Sequence, residues 1–157
     1  METNQLIAAG GKLRWEVIDT ETGKVIEQHE QDNLVVTAGL NLIRSCFATG
    51  TGTQITHFGI GAGAGSTTAA AAGQTDLQGA TKARYTLTAT DATTAATLVC
   101  QYYLGSATGN GNTYNEAGLF TAASGGTMYN RIVLGTPIVK TASVAVSFVW
   151  TLTWSAT

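Results

Sequence analysis

Charge is the scarcest property of this sequence. Only 11% of its 157 residues are Asp, Glu, Lys or Arg, less than half the usual quarter for a soluble domain. The net charge is −2, and the few Lys and Arg form no stripe, which excludes the footprint of a nucleic-acid-binding domain. Proline occurs once and cysteine twice. Cys46 and Cys100 each sit in an apolar-periodic segment, as buried free thiols do, and no disulfide framework or Cys/His metal spacing is present. His29 and His57 are the only histidines. Neither has Cys, Asp or Glu at ligand spacing, so no metal site is expected. No stretch is long enough to span a bilayer, and the start, METNQLIAAGG, lacks the basic and apolar regions of a secretory signal. The expectation is a chain made in a reducing cytoplasm, with no cofactor, no membrane partner and no nucleic acid.

What is abundant is glycine, threonine and alanine. Small and β-branched residues favour short strands and tight turns over helices, and the length suits one domain with a real core. The clearest signal is the last run. Val144, Val146, Phe148, Trp150, Leu152 and Trp154 recur at every second position, between Ala145, Ser147, Val149, Thr151, Thr153 and Ser155. Such alternation marks a strand with one packed face. Its two Trp and one Phe can anchor a sheet-on-sheet core. Pro137 is placed at its entrance, and the strand itself in the middle of a β-sandwich. Charge is uneven along the chain. Glu2, Lys12, Arg14, Glu16, Asp19, Glu21, Lys24, Glu27, Glu30 and Asp32 precede a nearly neutral remainder. This divides the chain into a charged N-terminal arm and β-hairpin, 1–32, and a sandwich body, 33–157. A body so poor in charge is expected to face other subunits, because interface cores are depleted of charge. A homo-oligomer follows, with a trimer favoured among closed symmetries.

The remaining segments can be placed in order. Residues 1–11 read as a flexible arm. Leu13, Trp15 and Val17 alternate with charged residues, and Thr20-Glu21-Thr22-Gly23 is a turn into a return strand from Lys24 to Gln31. Thr37 is a candidate N-cap. Leu40, Ile43, Arg44 and Phe47 then follow helical spacing up to Gly50, which predicts one short helix. Strands are predicted at 55–60, 84–90, 97–104, 113–120, 127–134 and the final run, with a low-complexity loop over 61–81. About eight strands separated by turns suggest an all-β, jelly-roll-like antiparallel sandwich.

Several motifs invite chemistry. Gly59-Ile60-Gly61-Ala62-Gly63-Ala64 fits a dinucleotide fingerprint, yet no helix or βαβ unit follows it, so a flexible turn is the expectation. Glu116 is nearly the only carboxylate in the second half and has no partner carboxylate for acid/base work. It reads as a structural, partly buried group held by a cation or backbone N–H groups. Arg84, Arg131 and Lys140 are its candidate partners, the arginines preferred. Trp15, Trp150 and Trp154, with Tyr102, Tyr103, Tyr114 and Tyr129, could form a sugar platform, although core packing is the commoner use. No nucleophile elbow appears, so no catalytic residue is assigned.

One family likeness stands out. NLVVTAGLNLIR, ITHFGIGAG, TDLQGATKAR and NEAGLF followed by GGTMYNRIVLGTPIVKTAS and FVWTLTWS occur in that order. Their sequence resembles tailed-bacteriophage virion proteins, which occur as small capsid decoration (cement) proteins and as tail-collar or fibre-base domains. The resemblance covers roughly residues 33–155. It implies a non-enzymatic virion protein, assembled in the host cytoplasm, whose partners are the major capsid protein or tail and collar proteins. The expected role is a decoration protein that binds and stabilises the outer capsid, because a receptor-binding fibre would need a long shaft. The alternatives are a tail-collar, baseplate or fibre-adaptor subunit and, further off, a carbohydrate-binding sandwich. The charged hairpin is expected to dock the protein onto the capsid or a neighbouring subunit.

Overall fold

The computed structural model describes residues 7–50 and 52–156, and of these the side chains of Ile7, Phe47 and Ala156 are left aside. In order along the chain lie β1 (Ile7–Asp19), β2 (Val25–Asp32), β3 (Leu34–Val35), α1 (Thr37–Thr49), β4 (His57–Ala62) and β5 (Thr81–Thr86). They are followed by β6 (Ala89–Asp91), β7 (Thr97–Leu104), β8 (Asn112–Phe120), β9 (Met128–Lys140) and β10 (Val144–Ala156). The strands form two five-stranded sheets, ordered β2-β1-β10-β7-β6 and β3-β9-β8-β4-β5. Every pairing is antiparallel. The fold is an all-β sandwich with one short helix among the described residues.

The alternating run forms β10 and lies at the centre of the first sheet, between β1 and β7. Its register explains the core. Leu13 and Cys100 flank Trp150, Trp15 and Tyr102 flank Phe148, and Val17 and Leu104 flank Val146. These inward rows meet Phe58, Ile60, Ala117, Leu119, Ile132 and Leu134 from the second sheet, all buried in the same cluster. Phe58 lies 4.5 Å from Phe148 and 5.2 Å from Tyr102 between ring centroids, and Tyr102 stacks on Tyr85 at 5.1 Å. Rings at these offsets add to the burial of their large apolar surfaces. The indole N–H of Trp150 donates to Asn33 Oδ1 at 2.7 Å, giving the buried ring its polar partner.

The hairpin is part of this core. β1 pairs with β10 along its whole length, and Leu13, Trp15 and Val17 are buried with the body's own residues. Among the described residues, the hairpin of β1 and β2 therefore does not separate from the body that follows in the way the division into 1–32 and 33–157 suggested. Charge followed the outward positions Lys12, Arg14 and Glu16, and the inward positions carry the packing. The expected arm is likewise β1 from Ile7 onward, and residues 1–6 lie outside those described.

Four further expectations change. Thr37 is the first helical residue and Val36 the N-cap, with no side-chain cap bond, while Gly50 closes the helix in the left-handed region at φ 64°. Cys46 is exposed on the helix, and only Cys100 is buried. The stretch 84–90 is two strands, because the chain leaves the second sheet after Thr86 and enters the first at Ala89. Pro137 lies inside β9 rather than before β10. Between Val133 and Ile138 the register against β8 slips past Asn115, so the missing N–H of proline falls where the ladder is already broken.

The two sheets differ on their outer faces. In the first, Arg14, Val149 and Gln101 share an outward row and remain partly or fully exposed. The second has a further cluster behind it, in which Val36, Leu77, Phe120 and Met128 are buried and Ala38 packs against them. The loop between β4 and β5 and the start of α1 supply that cover.

Removing residues 1–32 is expected to give an aggregating chain with no cooperative melt, because it strips β1 from β10 and exposes the Trp150 face. Thermal unfolding monitored by tryptophan fluorescence, alongside light scattering, checks this.

Candidate functional site

The outer face of the second sheet is shaped first by glycine. Along β4, Phe58 and Ile60 point into the core while Gly59 and Gly61 take the outward positions. A Cβ at Gly59 would collide with the Phe120 ring, and one at Gly61 with the Glu116 carboxyl. The Gly-x-Gly of the apparent dinucleotide motif thus makes room for side chains from β8. Only the later glycines form a turn: Gly63 and Gly65 have φ of 78° and 87°, where a side chain would be strained.

Glu116 lies in the space so made and is wholly buried, as is Arg131 on the adjacent β9. Arg131 Nε donates to Glu116 Oε2 at 2.7 Å, and its Nη2 lies 2.7 Å from the same oxygen. The backbone N–H groups of Gln78 and Gly79 donate to Oε2 at 3.0 Å and Oε1 at 2.5 Å. Arg131 Nη1 donates to the Thr68 carbonyl at 2.8 Å and to Gln74 Oε1 at 3.0 Å. The pair therefore grips the loop between β4 and β5 at both ends. Gly79 must be small, since a Cβ there would lie 2.6 Å from the Ala62 carbonyl oxygen.

A second clamp sits beside it. Asp76 accepts from Arg84 Nη2 at 2.9 Å and from Lys82 Nζ at 3.0 Å. The Arg84 guanidinium lies 3.7 Å from the centroid of Phe120, a cation–π arrangement. It also donates to the carbonyls of Ala122 and Gly125. Partial burial pushes the Asp76 carboxyl up, but hydrogen bonds from Arg84, Lys82 and the Leu77 N–H outweigh it and leave the group below its ordinary value of 3.8. Five of the eight charged residues beyond Asp32 are thus spent on holding one loop against one sheet face.

The other singled-out residues take different places. Lys140 is buried with its ammonium on Asn110 Oδ1 at 2.7 Å and the Thr141 carbonyl at 2.8 Å, and desolvation lowers its pKa. It secures the β7–β8 loop rather than Glu116. Trp15 is buried and stacks on His29 at 5.0 Å. Trp150 is fully buried, while Trp154 is half-buried against the core. Tyr103 is exposed and Tyr102 turned inward, so the aromatic residues do not gather into one platform. Asp76 was not singled out as a partner. Its signal was local: an acid six and eight residues before Lys82 and Arg84 in an otherwise neutral stretch. In chemical terms Glu116 is a saturated carboxylate, shielded from solvent and fully used as an acceptor.

A family described as phage tail-collar fibre protein, N-terminal, matches residues 29–130, more than half of the chain. The match runs from the middle of β2 to the start of β9 and includes Asp76, Lys82, Arg84 and Glu116. No curated protein matches, and no solved structure does.

Three outcomes test the clamps. Glu116→Gln is expected to cost about 3–5 kcal/mol in denaturant unfolding, because it leaves a buried guanidinium without its counter-charge. Replacing both partners, Glu116→Leu with Arg131→Met, is expected to recover much of that loss while leaving the loop open to limited proteolysis. For Asp76 the sign follows from its lowered pKa. Its contribution is complete above 3.8 and vanishes as pH falls through the folded-state value beneath it. Asp76→Asn is expected to flatten that part of an acid-unfolding curve.

Proposed function

The chain belongs to the phage tail-collar fibre protein, N-terminal family, and from that premise we propose that it is a non-enzymatic tail-collar or fibre-adaptor subunit of the virion. The family makes it a bacteriophage structural protein, a component of the particle. The single observation that carries the finer reading is the extent of the match, which takes in the helix, β4 to β8 and most of the loop clamps. The geometry agrees with it. Glu116, the one buried carboxylate among the described residues, serves as a tie between strand and loop, and the fold spends its charge on rigidity. A rigid sandwich with a clamped loop suits a part that transmits load between neighbouring subunits.

This reading displaces capsid decoration as the first expectation, since the family supports the tail alternative better. The proposed partners are tail and collar proteins and further copies of the same chain, with a trimer favoured. Co-sedimentation of the purified protein with isolated tails, against genome-free capsids, tests it. Binding to tails alone is expected. Binding to capsids alone would restore the decoration role.

A further inference from the structure

The two sheets end in open edges on opposite flanks of the sandwich. β2 terminates the first sheet and β5 the second. Gln31 on β2 bonds across to the Val133 carbonyl and the Gly135 N–H, both at 2.8 Å, which places this edge over β9. Tyr85 on β5 stacks on Tyr102 of β7, which places the other edge at the far side. Open edges offer unpaired backbone groups to any extended segment.

The charges on these edges are opposite. β2 carries Glu27, Glu30 and Asp32 with no Lys or Arg. Their side chains are 52%, 52% and 84% exposed, although Glu30 and Asp32 share Lys12 of β1 and Glu27 faces His29. β5 carries Lys82 and Arg84 with no Asp or Glu; both pair with Asp76, and with Arg84 only 12% exposed, Lys82 at 38% is the cation this edge presents. Pairing β2 with its own copy would set acid against acid, which is destabilising. β6 ends in Asp91, and β3 is two residues long. Of the edges described, β5 is the one that complements β2.

We propose that a second copy of this chain adds its β5 edge to β2, antiparallel, so that the subunits associate head to tail through a continuous sheet. With Glu30 opposite Lys82, Gln28 faces Arg84 and Ile26 faces Thr86, the last residue of β5. That register sets Ile26, 55% exposed, against the exposed end of β5, with Val25, 49% exposed, beside it. The interface is heterologous: each copy gives β2 to one neighbour and β5 to the other. Such contacts close into a ring when the rotation between copies permits. This surface does not depend on whether the protein acts on the tail or on the capsid.

The test uses disulfide trapping in a Cys46→Ser background, since Cys46 is exposed and Cys100 buried. Glu30→Cys protein mixed with Lys82→Cys protein is expected to give a cross-linked dimer under mild oxidation, and neither variant alone is expected to do so. In sedimentation equilibrium, Glu30→Lys should weaken self-association by on the order of tenfold through like-charge apposition. Adding Lys82→Glu to it should restore the association. Melting curves verify that each variant is folded, because Lys82 also binds Asp76. Cross-linking of Glu30→Cys alone would overturn the proposal in favour of two-fold β2 pairing. A folded mixture that stays monomeric and uncross-linked at the highest concentration would refute edge pairing altogether.

Discussion

The contact on which the second sheet depends is the Glu116–Arg131 ion pair. A carboxylate and a guanidinium removed from water lose several kcal/mol of solvation each, and the pair persists only where further hydrogen bonds complete the shell. Here those bonds come from the loop between β4 and β5, through the Gln78 and Gly79 N–H groups, the Thr68 carbonyl and the Gln74 side chain. The loop thus completes the pair, and the pair orders the loop. Leu77 of the same loop packs with Phe120 and Met128, so that part of the apolar cluster behind the sheet depends on the loop being held down. Neighbouring glycines are part of the same device, since any side chain at Gly61 would occupy the place of the carboxylate.

This accounts for the unusual distribution of charge. Beyond Asp32 the charged side chains are mostly internal fasteners: Glu116 with Arg131, Asp76 with Lys82 and Arg84, and Lys140 on loop carbonyls. On β1 and β2 the charges stand on outward positions, as Lys12 with Glu30 and Arg14 with Glu16 do. Exposed pairs of that kind add little to stability. The loop therefore covers much of the outer side of one sheet, and the other keeps a broad outer face and a long acidic edge. This division separates the charges that hold the loop in place from those that stand on the surface.

The first sheet rests on a different constraint, the position of β10 in its centre. β1 begins the described chain and β10 ends it, and they pair residue for residue. Closing the domain with its two terminal strands makes most contacts long-range in sequence. Such topologies fold slowly, because distant segments must meet before any of them is stabilised. It also means that the family-matched region, 29–130, omits β1 and β10 and with them half of the Trp150 layer.

The sequence by itself determined the all-β class, the packed face of the last strand, the short helix ending at Gly50 and the structural reading of Glu116. Each is local: a period of two, a period of 3.6 with a glycine stop, and a lone carboxylate among apolar residues report their own surroundings. It also ranked Arg131 and Arg84 together as partners, and composition could take that no further. Only the tertiary structure decided between them, because register sets Arg131 opposite Gly118, one diagonal step from Glu116 on the adjacent strand, and sends Arg84 to Asp76 and Phe120. The same holds for the hairpin. Its charges are visible along the chain, but the pairing of Leu13 with Trp150 joins residues more than a hundred positions apart, and contacts across that distance leave no periodic trace in either segment.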